Sequence, residues 1–367
     1  MKNFPRLAGR LLALMLVAGS LGLSSCTNSD TTPVLGNWTV GNSFAGTARS
    51  NAVSFVINNI AYVGTGIDAN SKRYNDFYAY NPKTGSWTQV TPLPATARYN
   101  AVAFTAAGKG YVGTGYDGTN SDVNKNYLSD FWQFDPTVNT ATTTGTTTIT
   151  TTGSWKRVAD FPMPNGLGRY SAVAASVNDI GYVGCGYDGN FEKDFYQYDP
   201  KANTWAPLAN GFPGNKRMGA LAFTINGQMY VGTGTNNSQY NTDFWAYNPA
   251  GGGTWTQKRY LANISTSTDS YDYSAVARAY ASSFVIGNLG YVTVGSSSAV
   301  KTDCYAYDPT MDTWTATNPF YFTTGGGAGR NSAVSFGIGN YGYVGTGASG
   351  STRFDDFWQF DPSAAQQ

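Results

Sequence analysis

An all-β ring of six equivalent four-stranded sheets is predicted by three observations. One pattern is spelled six times: an arginine, then Tyr-Val and a Gly-x-Gly-like turn, then an aspartate opening an aromatic segment, then Asp/Asn-Pro, then tryptophan. The arginines are Arg49, Arg98, Arg169, Arg217, Arg278 and Arg330, and the tyrosines Tyr62, Tyr111, Tyr182, Tyr230, Tyr291 and Tyr343. The sixth copy stops at Asp361-Pro362 with no tryptophan, while Trp38 stands alone ahead of the first arginine. An array whose last unit is completed by its first strand closes into a ring. Finally, each copy breaks into short strand signals separated by turn residues.

The elements follow in order. Residues 1–26 begin with Lys2, Arg6 and Arg10, continue through the apolar run Leu11 to Leu23 and end in Leu-Ser-Ser-Cys. That run is too short to span a bilayer, so it reads as a signal peptide. Residues 27–34 read as a polar tether, and residues 35–367 as one domain. In the first unit Ala52 to Ile57 is the first strand and Ile60 to Gly64 the second, joined by Asn58-Asn59, a two-residue hairpin turn. Asp76 to Tyr80 is the third, stopped by Asn81-Pro82 because proline donates nothing to a ladder. Ser86 to Val90 is the fourth, carrying Trp87. Phe77, Tyr78 and Tyr80 place aromatic rings on both faces of a sheet, and sheets stacked radially about an axis cover both faces.

These residues resemble the kelch repeat, over positions 35 to 367, and six copies imply a six-bladed kelch propeller. The resemblance puts the diglycine turn at Thr65-Gly66, the central tyrosine at Tyr78 or Tyr80 and the outer tryptophan at Trp87. One diglycine position is threonine in most copies, Cys185 in the third and Val294 in the fifth, so a local adjustment of that turn is expected. Leu23-Ser24-Ser25-Cys26 resembles a bacterial lipobox, which implies a lipid anchor on Cys26 and a place in the bacterial cell envelope, at the outer membrane or cell surface.

Composition excludes several functions. The formal net charge of +1 gives no field for nucleic acid, and membrane contact is expected only through the lipid anchor. Histidine is absent, so Ser-His-Asp and Cys-His nucleophiles and ordinary zinc sites have no imidazole to draw on. Some kelch propellers are copper-radical oxidases acting on galactose; the resemblance implies histidine ligands for that site, and the chain has none. No cofactor and no metal are expected, the weak Asn120, Asp122, Asn124 alternation lacking the glycine and glutamate of a calcium loop. Cys185 and Cys304 lie in blades that are not neighbours, and both read as small buried side chains.

Site expectations come from where the repeat is interrupted. Gly115 to Asp130 is fifteen residues against eight to ten elsewhere, and Trp255 to Arg278 is twenty-three against eleven to sixteen. Both interruptions belong to the end of the ring that carries the arginines, and long loops on a rigid scaffold are where binding resides. The expected binding residues are Arg98, Arg169, Arg217, Tyr116, Asp117, Tyr187, Asp188, Glu192, Tyr271 and Asp272, with no catalytic residue assigned. Glu192 is the only glutamate. The arginines either ring the channel mouth, free for carboxylates or phosphates, or pair with the equally numerous Asp76, Asp130, Asp194, Asp243, Asp303 and Asp356. Asp188, Glu192 and Asp272 would form an acid-base set if they converge. Thr137 to Thr152 is read as a solvated insertion, with O-glycosylation or a β-rich flap as alternatives. The expectation is a monomeric binding module for a protein or glycan ligand around blades two to four, with a metal-independent sugar isomerase or mutarotase as the alternative.

Overall fold

The computed structural model describes residues 35–144, 147–320 and 327–365. Cys26 and the leader therefore lie outside the described residues. Six antiparallel four-stranded sheets form six blades, and their first strands touch in chain order, blade six returning to blade one. Blade one comprises Val53–Ile57, Ile60–Gly64, Phe77–Asn81 and Ser86–Val90, within one residue of the strands read from sequence. Its Asn58 and Asn59 both have positive φ, 51° and 62°, the geometry that matches the strand twist of a tight hairpin. First strands alternate between buried and half-buried positions, whereas second strands are buried on both faces after their first residue. Radial stacking produces that contrast.

Closure is made by Leu35–Val40, which pairs antiparallel with Phe357–Ala365, setting Trp38 opposite Phe360. Trp38 is 3% exposed, lies 4.9 Å from the Phe320 ring edge-on, and donates its indole N–H to the Asn318 carbonyl at 3.2 Å. Trp87, Trp155, Trp205 and Trp255 likewise donate to a carbonyl on the segment leaving the preceding blade. Trp314 has no such acceptor among the described residues, and the segment leaving its preceding blade is where the long insertion begins.

Two cycles of backbone hydrogen bonds run around the axis. Asn51, Asn100, Ser171, Gly219, Tyr280 and Ser332 each stand two residues after a repeat arginine. Each donates its amide to the carbonyl of the equivalent residue in the preceding blade, at 2.8 to 3.1 Å. In the second cycle the turn glycines donate to the arginine carbonyl of the next blade, at 2.7 to 2.8 Å.

The diglycine-type turn keeps one backbone conformation in all six blades, whichever residue stands at its first position. Thr65, Thr114, Cys185, Thr233, Val294 and Thr346 all adopt left-handed backbone, with φ between 49° and 60°. The compensating contact is common to all six: the carbonyl of each accepts a hydrogen bond from the Nη1 of its own blade's arginine, at 2.8 to 3.1 Å. The threonine-rich insertion is a β-hairpin, the form that the β-rich-flap alternative gave it, with Thr140–Thr144 pairing with Thr147–Thr151. Thr91 ties it to blade one through its amide and the Thr152 carbonyl at 3.0 Å.

Candidate functional site

The repeat arginines are pins and do not form a free ring. All six are 0 to 1% exposed. Each guanidinium meets the aspartate that opens the third strand of its own blade; Arg98, for example, holds Asp130 through two parallel bonds of 2.6 and 2.8 Å. Arg49–Asp76, Arg169–Asp194, Arg217–Asp243, Arg278–Asp303 and Arg330–Asp356 complete the set. The expectation that Arg98, Arg169 and Arg217 offer their charge to a ligand is therefore corrected: all three guanidiniums are buried and already occupied by carboxylate and carbonyl oxygens.

Blade three departs from this symmetry. In the other five blades Nε donates to the carbonyl two residues back, but Arg169 Nε has no partner among the described residues. Arg169 also has a second carboxylate nearby, Asp188 at 3.8 Å. Asp188 is itself buried, bonded to the Asn190 amide and the Asn165 side chain, and Asp117 similarly accepts from the Thr119 amide. Both aspartates thus fasten their own loops.

The position two residues before each third-strand aspartate reveals a further break. It is Tyr74 in blade one and Phe354 in blade six, each lying over its own blade's arginine, at 4.1 and 3.9 Å, and Leu128 in blade two. In blades three, four and five it is Glu192, Asn241 and Lys301. Three adjacent blades thus carry a carboxyl, an amide and an ammonium where the other three carry an aromatic or aliphatic side chain.

Glu192 has a side chain only 14% exposed, with Lys216 Nζ at 3.8 Å. Burial pushes its carboxyl above the usual range and the Asp188 charge adds to this, against a smaller lowering by Lys216. Its chain neighbour Lys193 and its partner Lys216 line a cavity of about 630 Å³ between blades three and four, whose wall also includes Asn236, Gln239, Tyr240 and Asn241 but not Glu192 itself. Two ammonium groups and several amides make its wall polar and cationic. The buried Asn241 Nδ2 and Asn236 Oδ1 have no hydrogen-bond partner among the described residues.

Phe191, next to Glu192 in the chain, belongs to an aromatic cluster. Tyr116 and Tyr187, both expected in the site, connect through Tyr127 and Tyr170, with ring centroids 5.5 to 6.3 Å apart; Tyr99 and Phe191 extend the row. Asp272 and Tyr271 do not join it. They sit on a small hairpin, Asn263–Ser265 with Ser270–Asp272, where Asp272 bonds Ser274 and Tyr271 stacks on Tyr273. Arg259 packs over Tyr271 and its amide donates to Asp312 of blade five, so the hairpin leans towards that blade. The expected trio of carboxylates reduces to the neighbours Asp188 and Glu192. Asn120, Asp122 and Asn124 form side-chain turns around a short 3₁₀ helix, and among the described residues no cluster of three metal-ligating groups occurs.

Lys193, Lys216, Asn236 and Asn241 were not anticipated. The signal lay in comparing the six repeats at one register position rather than in loop length.

Comparison with known proteins adds the following. The family model described as the KLHDC2/KLHL20/DRC7 Kelch-repeats domain matches residues 37–210. N-acetylneuraminate epimerase of Pasteurella multocida (strain Pm70) is 36% identical over 104 residues, 27% of each chain. The protein of that name from Yersinia enterocolitica is 32% identical over 117 residues, 30% of this chain and 29% of that one. The matched segment thus spans under a third of these relatives' length. The solved structure of YjhT superposes with a TM-score of 0.63 at 14% identity, covering 86% of this chain and 95% of that one, a likeness of fold alone. Six four-stranded blades repeating one motif make the chain a six-bladed β-propeller, and its first three blades match the kelch-repeat model.

Proposed function

We propose that the protein is a metal-independent, sugar-active enzyme that interconverts the anomers of a sugar acid in the cavity between blades three and four. The observation that carries this is Glu192: a single glutamate, at a register position otherwise apolar in three blades, with a raised pKa and a polar cationic cavity beside it. The names of the partial relatives favour this reading over a pure binding module.

Anomer exchange requires proton transfers only. Glu192 takes the proton of the anomeric hydroxyl, the ring C–O bond breaks as the carbonyl forms, and the Lys216 ammonium supplies a proton to the ring oxygen. Rotation about the adjacent C–C bond and the reverse steps give the other anomer and restore both groups. A carboxyl whose pKa burial raises is a stronger base than an ordinary carboxylate, which suits such exchange. Lys193 and Lys216 provide charge for the sugar's carboxylate.

The test is saturation-transfer NMR on N-acetylneuraminate and a panel of other sugar acids and aldoses. Exchange between anomers should be accelerated by catalytic amounts of the protein and return to the spontaneous rate with Glu192→Gln. Absence of acceleration across the panel would sink the enzymatic reading.

A further inference from the structure

The residue two after each repeat arginine is left-handed in every blade. The six are Asn51, Asn100, Ser171, Gly219, Tyr280 and Ser332, with φ between 51° and 60°. Glycine adopts this conformation freely and short polar side chains tolerate it, but for a bulky aromatic residue it is a strained outlier. Strain of this kind persists where the surroundings over-determine it, and it concentrates at functional sites.

The surroundings of Tyr280 are adapted to it. Its ring fills the space beside Gly219 of blade four, where a Cβ would stand 2.8 Å from the ring carbons. Beyond that lies Ser171 of blade three: burial raises the Tyr280 phenol and the nearby Ser171 hydroxyl lowers it by less, while that hydroxyl has no hydrogen-bond partner within normal geometry among the described residues. Ser171 is 5% exposed. Two of the six symmetric positions thus depart together from the asparagine and serine of the other four, Gly219 leaving the room that the Tyr280 ring takes at the axial mouth. A recess of about 130 Å³ opens there, lined by these six residues and the alanine after each. Tyr99 and Tyr170, next in chain to two of the lining residues, are close enough for the Tyr280 phenol to raise their own pKa.

No lining residue of the recess is charged. A flat phenol ringed by amides and hydroxyls offers nothing to an ion, but it matches a neutral pyranose, whose C–H face stacks on an aromatic ring while its hydroxyls bond to the rim. We infer that the axial mouth is a second carbohydrate subsite, separate from the Glu192 cavity, with Tyr280 as its stacking floor.

The discriminating variant is Tyr280→Asn, since asparagine already fills this position in blades one and two. A tyrosine kept for packing would destabilise the fold when replaced; one kept for a ligand releases strain. Binding is measured by saturation-transfer difference NMR and titration calorimetry with methyl glycosides of glucose, galactose, mannose and N-acetylglucosamine, and thermal unfolding is followed in parallel. The expected result is that at least one glycoside binds the wild-type protein. Tyr280→Asn should weaken it by about tenfold or more at an equal or higher melting temperature. Tyr280→Gly, the residue of blade four, serves as a second variant if Tyr280→Asn folds poorly. No glycoside bound by the wild type, or binding unchanged in the variants, overturns the inference. A methyl glycoside has a blocked anomeric carbon and cannot turn over, so neither result depends on the catalytic role of Glu192.

Discussion

The Asn51 amide donates to the Ser332 carbonyl at 2.9 Å, and this bond joins the first blade to the last at the axis. Trp38 makes the corresponding join at the rim, where its strand completes blade six. Inner and outer closure are thus made by residues far apart in sequence. Deleting residues 35–41 should expose the edge of Phe357–Ala365 and the Phe320 and Phe360 rings together. A sharply lower melting temperature or outright aggregation is expected, and Trp38→Ala alone should cost about 3–5 kcal/mol in denaturant unfolding. An unchanged melting curve for the deletion would contradict rim closure.

The arginine pins should behave as buried pairs. Arg330 is fully buried and paired with Asp356, and it lies over the Phe320 and Phe354 rings. Arg330→Ala strands a carboxylate and should destabilise by about 3–5 kcal/mol. Arg330→Lys should recover little, since an ammonium cannot make the two parallel bonds to Asp356 and the further bond to the Thr346 carbonyl. Arg157→Ala, at the exposed Arg157–Asp160 pair, should change stability by about 0.5 kcal/mol or less. Equal effects of the two alanine substitutions would refute the distinction.

Much of this was legible in the sequence. Arg49 and Asp76 recur with equal multiplicity in one register, which already raised their pairing as one of two readings, and Trp38 identified the closing strand. What remained hidden depends on side-chain direction and on paths between elements. Asp272 belongs to an insertion that leans towards blade five, and nothing in its spacing says so. Thr65 keeps a left-handed turn because Arg49 bonds its carbonyl, a contact with no sequence signature of its own. Tyr280 becomes informative only once its equivalents, asparagine, serine and glycine, are known to share one backbone conformation.

Acid sensitivity should trace in part to the pins. Burial pushes the Asp130 carboxyl up, but the bonds and charge of Arg98, with the Trp132 indole N–H, outweigh it and hold the group below the usual carboxylate range. A carboxyl whose pKa is lowered on folding stabilises at pH above its unfolded value, about 3.9, and that contribution is lost as pH falls through the folded value. Asp130→Asn should therefore be less stable than wild type at pH 7, with the gap narrowing towards pH 3. Urea unfolding across that range measures it; a gap independent of pH would mean that proton linkage is not involved.

Glu192 has the opposite sign. Its carboxyl is raised on folding, first by burial and then by Asp188, so the folded state holds the proton more tightly than the unfolded chain does. Stability from this group is greatest below the ordinary carboxyl pKa and declines as pH rises to the raised value, above which the buried charge is a standing cost. Glutamine keeps the shape without the charge. Glu192→Gln should match or fall below wild type at pH 4 and exceed it at pH 8, the difference growing through the window between the ordinary and the raised pKa. Under the proposed function the same variant loses anomer exchange, so at neutral pH it would be more stable and inactive, as expected where a strained electrostatic site is kept for chemistry. Thermal unfolding at both pH values, run beside the NMR exchange assay, tests the two halves together: a variant less stable than wild type at pH 8 would show that Glu192 is held in place by favourable pairing rather than against its own desolvation.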